Sequence, residues 1–483
     1  MKQKVRVRFA PSPTGMMHVG SARTALFNYL FARHHDGEFI LRLEDTDRER
    51  FIEAGVEQIQ HSLQWLGLVP DEGYWLGDHK GAHGPYVQSE RLGSYRQIAE
   101  QLVESGQAYY SRITSEDFDK KRQAAIAAGK PFVYRHAMEP ASSQQSGDNL
   151  PIRLKVGPGS TVWRDEVRGE FKVNNDIIDD FIIVKADGFP TYNFANVVDD
   201  HQMKISHVIR GDEFIASTPK HAMLYDLLGW QRPEWIHLPV INGSDGKKLS
   251  KRSGDTDVLD YRQAGYLPEA LINFLALLGW NDGSEQEIYS LDQLISKFAV
   301  DRIQKSPAVF DRDRLDWMNG IYIREVISEQ AYMEKIIEQL EKANIDVASH
   351  NQDYIKRAAA LERERIKTFS QSPDALEFFF KAPKVTSKMI ELVCAKSDQP
   401  RTLNILSSTV ATLSECKGKT TTAIETYLRQ LAEELGVGAG QLFYPIRVAI
   451  TGKTAAPGLF ETIAVLGIEE TISRLNNVIA KLK

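Results

Sequence analysis

Apolar and polar positions alternate at the amino terminus. Val5, Val7 and Phe9 interleave with Lys4, Arg6 and Arg8, the period-two pattern of a half-buried strand. Pro11 to Gly15 (PSPTG) then reads as a turn. Ala22, Ala25, Leu26, Tyr29 and Leu30 follow at i, i+3, i+4, i+7 and i+8, one face of an amphipathic helix. Gly37 lies near the end of that helix, and Phe39 to Leu43 (FILRL) predicts a second strand. Strand, helix and strand within so short a span predict a βαβ unit and hence a parallel sheet. A second helix is expected from about Glu53 to Leu66.

The texture changes between about Gln107 and Pro190. A polar helix is expected near Ser115 to Ala128, then a loop from Ala141 to Asn149 (ASSQQSGDN). Short strand-like runs follow at Ile152 to Val156, Glu170 to Val173 and Asp180 to Val184, with a hairpin-like turn at Ala186 to Gly188. We read this region as an insertion in the parallel-sheet domain, which resumes near Ile205 to Ile209 and Trp235 to Ile241. From about Asp257 the pattern is mostly helical. One late helix carries Ala423, Ile424, Tyr427, Leu428, Leu431 and Leu435 and closes at Gly436; the last carries Ile468, Ile472, Leu475, Ile479 and Leu482.

Composition narrows the class without naming it. The 483 residues suggest about three domains. With 59 basic and 65 acidic side chains the net charge is −6, which does not exclude a nucleic-acid partner, because a mildly acidic total can hide a basic face. The two cysteines, Cys394 and Cys416, exclude a disulfide framework and a multi-cysteine zinc site. The amino terminus lacks the apolar core of a signal peptide. The longest apolar stretch, Ala270 to Trp280, contains Asn273 and falls far short of the ~20 residues that span a bilayer. A cytoplasmic protein is expected.

Two clusters look like chemistry. The first runs from Arg8 to Ser21 (RFAPSPTGMMHVGS), a strand entering a helix through a glycine-containing loop. A helix start offers free N–H groups and a positive dipole end, which suit phosphate. His18 lies just before the helix, and Gly20 lets a base or ribose approach the backbone. Taken alone, the cluster also fits a tight turn with a surface histidine. No Walker-type phosphate loop is present: the Gly-Lys-Thr triplets at 418–420 and 452–454 lack the upstream glycine. The second cluster, Gly243 to Gly254 (GSDGKKLSKRSG), packs four cations into six residues between glycines. Mobile cations suit a phosphate whose charge grows during reaction, where one such group is worth ~3 kcal/mol of barrier. Taken alone, it also fits a solvated basic loop.

The pair, in this order on a βαβ framework, resembles class I aminoacyl-tRNA synthetases. His18 to Ser21 (HVGS), within Pro11 to Ser21, is similar to the HIGH motif, and Lys248 to Arg252 (KLSKR) to the KMSKS motif. Arg8 to Gly15, Leu43 to Asp47 (LEDTD), Pro190 to Asp200 (PTYNFANVVDD) and Val208 to Glu213 (VIRGDE) narrow the resemblance to bacterial-type glutamyl-tRNA synthetases. Trp317 to Arg324 and Thr451 to Glu461 fit the same family. The resemblance spans essentially the whole chain.

It implies a multidomain α/β protein: a Rossmann-like catalytic domain with an α+β insertion, followed by an all-α carboxyl-terminal half. The implied boundaries are 1–108 and 196–256 for the catalytic domain, 109–195 for an acceptor-binding insertion and 257–330 for a stem-contact region. Residues 331–400 and 401–483 would form two helical anticodon-binding domains. The implied activity is ATP-dependent attachment of L-glutamate to the glutamate tRNA through glutamyl-adenylate, with tRNA needed even for the first step.

Position by position, the resemblance implies that glutamate sits among Arg8, Ala10, Ser12, Glu44, Tyr192, Asn196 and Arg210. ATP would be held by Ser12, His18, Gly20, Glu213, Lys248 and Lys251, with the backbone of Val240 and Ile241 beside the adenine. His18 and Lys251 would be the catalytic groups, stabilising phosphate charge with Mg²⁺. Arginine suits a side-chain carboxylate because its donors are planar and bidentate, and Glu44 suits the substrate ammonium. Phe214 stands where tryptophan is common, keeping an aromatic wall without its N–H. Some relatives bind zinc in the insertion, but here Ser111 and Ile113 stand where thiolates would be, so no zinc is expected. Arg363 and Arg365 are candidates for reading the anticodon. A monomer without membrane association is expected, and charging of the glutamine tRNA is left open. A short paralogue lacks the anticodon half present here. A glutaminyl-tRNA synthetase would carry a different first motif and a β-rich second half. A catalytically dead relative would have lost His18 or Lys251.

Overall fold

The computed structural model describes residues 4–47, 50–139, 149–249 and 257–483. It divides into two compact units. The first extends to Tyr261 and includes Pro268–Arg312; the second comprises Arg262–Leu267 and Asp313–Lys483.

In the first unit, β1 (Arg6–Phe9), α1 (Val19–His34) and β2 (Glu38–Leu41) form the expected βαβ unit, with Val7 opposite Phe39 in a parallel ladder. The second strand begins a residue earlier than FILRL and ends at Leu41, because Arg42 and Glu44 turn away into polar contacts. After α2 (Glu53–Trp65), β3 (Glu72–Trp75) adds in parallel to β2, and β4 (Asp78–Lys80) pairs antiparallel with β3. Helix α3 (Leu92–Glu104) leads to β5 (Ala108–Tyr110) and the polar helix α4 (Ser115–Ala127), capped by Thr114.

The insertion holds two separate pieces of sheet. Strand β6 (Ile152–Leu154) lies between β5 and β9 (Ile182–Val184), all antiparallel. A hairpin of β7 (Ser160–Asp165) and β8 (Gly169–Asn174) instead joins the second half of the parallel sheet. The sequence pattern did not single out β7, although Thr161, Trp163 and Asp165 alternate inward along it. Its outward residues include Val162, so the polar–apolar contrast was weak.

Helix α5 (Tyr192–Gln202) returns the chain to β10 (His207–Gly211), which runs parallel to β11 (Glu234–Leu238) after α6 (Thr218–Leu227). Strand β10 lies beside β1, where the Ser206 N–H donates to the Arg6 carbonyl at 2.9 Å. Two four-stranded sheets, β4-β3-β2-β1 and β10-β11-β7-β8, thus meet along β1 and β10, and chain order reverses between these two strands. Such a reversal opens a crevice at the carboxyl ends of the strands. A short β12 (Ile241–Asn242), α7 (Val258–Gln263), α8 (Pro268–Leu277), α9 (Leu291–Lys297) and β13 (Ala308–Val309) complete this part of the chain.

The second unit is helical: α10 (Arg312–Ile321), α11 (Glu329–Lys342), α12 (Gln352–Glu362), α13 (Ser372–Phe380), α14 (Ser387–Val393), α15 (Gln399–Ser414), α16 (Thr421–Glu434), α17 (Ala439–Thr451), α18 (Leu459–Leu466) and α19 (Ile468–Leu482). Gly436 follows α16 with φ 62°, the left-handed turn expected of a glycine just past a helix end. On α19 the buried face is Thr471, Arg474, Leu475, Val478, Ile479 and Leu482, with the Arg474 guanidinium donating to the Phe378 and Ile450 carbonyls, both at 2.7 Å, so Ile468 and Ile472 flank it. Among the described residues, no helix is long and apolar enough to cross a membrane.

Candidate functional site

At the reversal point lies a cleft of about 1100 Å³. Its lining brings together Arg8, Ala10, Ser12, Glu44, Tyr192, Asn196 and Arg210 with His18, Gly20, Glu213, Val240, Ile241 and Lys248. Lys251 and Arg252, with the rest of 250–256, lie outside the described residues. The segment that flanks them is anchored at the cleft on both sides. Leu249 lines it and donates its N–H to the Ile241 carbonyl at 2.8 Å. Asp257 forms an antiparallel bridge with His18, and the Val258 N–H donates to the Met17 carbonyl at 3.0 Å.

Backbone ties hold the first turn in place. The Pro11 carbonyl accepts from the Glu44 N–H at 3.0 Å and the Pro13 carbonyl from the Ile52 N–H at 2.9 Å. Gly55, near the start of α2, packs so close that a Cβ there would sit 3.3 Å from the Pro13 carbonyl. This seating sets His18 as the extended residue immediately before α1. Gly20 faces open space, with no atom within 4 Å of where its Cβ would be.

One end of the cleft is a buried charge network. Arg8, 3% exposed, donates through Nε to Asp200 Oδ1 at 2.9 Å and through Nη2 to Asp200 Oδ2 and Asn196 Oδ1, both at 3.3 Å. Arg42, fully buried, reaches Asp200 at 2.6 Å and Glu44 Oε1 at 2.9 Å. Asn196 Nδ2 donates to the same Glu44 oxygen at 2.8 Å. Burial opposes the charge on Asp200, but Arg8 and Arg42 outweigh it and hold its pKa below the usual carboxylate value. Next to it, Asp199 accepts from Arg91 at 2.7 Å, Gln88 at 2.8 Å and Tyr95 at 2.9 Å.

Beside it, on the neighbouring strand β10, a second cluster is built around Arg210, which is 4% exposed. Its Nε donates to His237 Nε2 at 3.1 Å, Nη1 to the Tyr192 hydroxyl at 3.2 Å and Nη2 to Thr218 Oγ1 at 2.9 Å. Contacts to His221 Nδ1 at 3.4 Å and to the Phe214 carbonyl at 3.5 Å are at the limit of hydrogen bonding. Among the described residues Arg210 has no carboxylate partner. Burial pulls its pKa below the usual guanidinium value, and it drives the His221 imidazole well below its own. Because Tyr192 accepts from Arg210, its own O–H is left to donate. Phe214 stacks by Tyr192 with ring centroids 5.4 Å apart and lies 5.5 Å from the Arg210 guanidinium carbon, so the aromatic wall is kept.

In the region of His18 and Val240, Lys248 Nζ lies 3.8 Å from Glu213 Oε1, both side chains about half exposed or more. Arg23, on α1, is buried and donates to the Leu278 carbonyl at 3.1 Å and to the Pro239 carbonyl, fixing the chain just before Val240. With only carbonyls as partners, burial lowers its pKa to about 10.

Sequence reasoning missed Asp200, Arg42, Asp199, Arg91, Thr218, His221, His237 and Asp165. A signal existed for some of them. Asp199 and Asp200 lie within a helix whose Phe194, Ala195, Val197 and Val198 are apolar, and Arg42 interrupts an apolar run; buried charges require partners. His237 and Asp165 come from strands 72 positions apart, and no local pattern joins them.

In the insertion, Ser111 Oγ accepts from Arg153 Nε at 3.2 Å and bonds to Glu139, which also accepts from Tyr134 at 2.8 Å. Among the described residues no group of three or more metal-ligating side chains is assembled. In the second unit, Arg363 spends its donors on the carbonyls of Ile323 at 2.9 Å and Ile327 at 2.8 Å, and its guanidinium carbon lies 4.8 Å from the Tyr332 ring centroid. Arg365 bonds to Glu362 at 3.0 Å and to the Ala456 carbonyl at 2.8 Å while remaining 42% exposed.

Comparison with known proteins shows the family. Residues 4–317 match the family of class I tRNA synthetases (E and Q), catalytic domain, and residues 331–479 match an anticodon binding domain. The glutamate–tRNA ligase of Dehalococcoides mccartyi is 45% identical over 100% of this chain and 99% of that protein. The glutamate–tRNA ligase of Chloroflexus aurantiacus is 45% identical over 99% and 98%. The crystal structure of a glutamate tRNA ligase from Elizabethkingia meningosepticum, in complex with its amino acid, superposes with a TM-score of 0.88 at 36% identity, covering 100% of both chains.

Proposed function

The chain belongs to the class I tRNA synthetases of the E and Q type, and from that premise we propose that it attaches L-glutamate to tRNA in two ATP-dependent steps. The observation that carries the choice of amino acid is Arg210: a buried cation on the cleft with only neutral partners. A substrate carboxylate supplies the missing negative charge. A hydrogen bond to a charged group is worth about 1.5–3 kcal/mol, so glutamate is favoured over the neutral glutamine side chain by roughly tenfold to a hundredfold.

Glutamate then lies across the two neighbouring clusters, where β1 and β10 run side by side. Its γ-carboxylate faces Arg210 and the Tyr192 O–H, and its ammonium faces Glu44. Arg8, Ala10, Ser12 and Asn196 complete the pocket. Glu44 Oε1 already takes the bonds from Arg42 and Asn196, and Oε2 is the oxygen left for the ammonium. ATP lies along the start of α1, with Gly20 and the Val240–Ile241 backbone against the base and ribose, and Glu213 as an acceptor for hydroxyl groups. The α-carboxylate attacks the α-phosphorus and pyrophosphate leaves. His18, Lys248 and Lys251 stabilise the phosphate charge, and Mg²⁺ screens it when bound. A hydroxyl of the terminal tRNA ribose then attacks the adenylate carbonyl and AMP leaves.

The six-segment division, with 109–195 on the acceptor and 331–483 on the anticodon, is part of this reading, as are a cytoplasmic monomer and a zinc-free insertion. Of the two arginines, the exposed Arg365 is the better placed to meet a base. Whether the glutamine tRNA is also charged is decided by aminoacylating both purified tRNAs. The test of the whole reading is ATP–pyrophosphate exchange with and without tRNA. Exchange that depends on glutamate and tRNA is expected; none with cognate tRNA refutes the reading. Lys251→Ala should slow adenylation far more than it weakens glutamate binding, and equal losses would reassign that lysine.

A further inference from the structure

Two buried ionisable side chains behind Arg210 have no part in the steps above. His237 lies on β11 and Asp165 ends β7, the strand lent by the insertion; neither side chain is accessible to water. Asp165 Oδ2 is 2.7 Å from His237 Nδ1 and accepts the His237 backbone N–H at 3.0 Å. Asp165 Oδ1 accepts the N–H groups of Val167 at 3.0 Å and Arg168 at 2.6 Å. The carboxylate is therefore rigidly held. On the far side of the ring, His237 Nε2 meets Arg210 Nε at 3.1 Å.

These contacts settle the imidazole's proton. A guanidinium nitrogen only donates, so Nε2 must offer its lone pair and Nδ1 must carry the hydrogen. Asp165 enforces that tautomer from the other side, as carboxylates do for metal-bound histidines. The result is a chain of carboxylate, neutral imidazole and guanidinium. Burial, the largest influence on His237, also favours its neutral form, although Asp165 pulls the other way.

The contrast with Arg8 shows what this arrangement achieves. Arg8 has a carboxylate directly on Nε and Nη2, which neutralises it. A carboxylate placed the same way on Arg210 would compete with an anionic substrate. An imidazole on Nε leaves the Nη atoms with neutral and marginal partners only.

We propose that Asp165 and His237 are positioning residues that serve Arg210 as a relayed counter-ion, fixing the guanidinium and supporting its charge from behind while keeping protein carboxylates off its substrate-facing nitrogens. This rests on the reading that Arg210 takes the γ-carboxylate of glutamate.

The test measures KM for glutamate and for ATP separately, with kcat and thermal midpoint, in tRNA-dependent exchange by full-length variants. Asp165→Asn should raise the glutamate KM about tenfold and leave the ATP KM and kcat within about threefold. His237→Leu, which leaves Arg210 Nε unpaired, should raise it more. His237→Gln can still donate to Asp165 and accept from Arg210, and should recover at least half of that loss on a logarithmic scale. Arg210→Gln tests the premise: an unchanged glutamate KM removes the reading itself. If Arg210→Gln raises the glutamate KM while Asp165→Asn and His237→Leu do not, the relay is overturned and the reading stands. Equal rises in both KM values with a fall in kcat mark a fold defect and overturn the positioning role. Should Asp165→Asn not fold, the His237 pair decides, and equal glutamate KM values for Leu and Gln overturn the relay.

Discussion

Arg8 and Arg210 line one cleft, are equally buried, and are held in opposite ways. Arg8 sits in a network of Asp200, Arg42, Glu44 and Asn196 in which each cation meets a carboxylate. Arg210 meets a tyrosine, a threonine and a histidine. Breaking a buried pair leaves an uncompensated charge and costs about 3–5 kcal/mol, so the Arg8 end is rigid structure. A buried cation without a direct counter-charge is held in readiness for a ligand that brings one. The same residue type is thus scaffold on β1 and receptor on the neighbouring β10, and the partner decides which.

The sharpest way to break this contrast is Asp200→Asn. It strands Arg8 and leaves Arg42 with Glu44 as its close carboxylate, and a loss of about 3–5 kcal/mol in stability is expected, read as a fall of several degrees in thermal midpoint. A midpoint within a degree of the parent would show that the network carries no such charge balance. Arg210→Gln should do the reverse. It removes an unpaired cation, so the midpoint should hold or rise, while kcat/KM for glutamate falls up to about a hundredfold. A stability loss as large as that of Asp200→Asn would erase the distinction. Glu44→Gln belongs between the two. It weakens the Arg42 contact and the attraction for the substrate ammonium, and kcat/KM should fall about tenfold with a modest drop in midpoint.

A dependence of stability on pH is also expected. Burial holds the His221 and His237 imidazoles below their ordinary value. The unfolded chain takes up these protons near pH 6.5 while the folded chain does not. Stability is therefore full above about pH 6.5 and is lost as pH falls below it, by at most about 1.4 kcal/mol per pH unit for each histidine. Thermal unfolding of the full chain between pH 7.5 and 5 should show the decline. A flat midpoint over that window would mean the Arg210 end tolerates imidazolium.

Legibility differed by region for physical reasons. The strands of the first βαβ unit and the late helices were readable because burial falls on alternate or helically spaced positions, so the period appears in the residue types; the helix near Ser115, which buries no residue, was readable from its polar, helix-favouring composition and its Thr114 cap. Strand β7 was missed because its outward face, which includes Val162, is not consistently polar, although its hairpin partner β8 follows at once. The glutamate and ATP candidates were named through the family resemblance, whose motifs occupy a few short segments, and apart from Lys251, outside the described residues, the fold brings them onto one cleft. Arg363 shows the converse: a basic run suggested exposed cations, whereas its donors are spent on the Ile323 and Ile327 carbonyls.

Residue order alone determined the family, the class of reaction and which side chains carry charge, because these reside in short motifs and in periodicity. It did not determine which charge cancels which. That Arg8 is neutralised and Arg210 is not depends on strands and helices from distant parts of the chain meeting at the β1–β10 crevice, since a buried charge takes its character from whatever lies within a few ångströms of it.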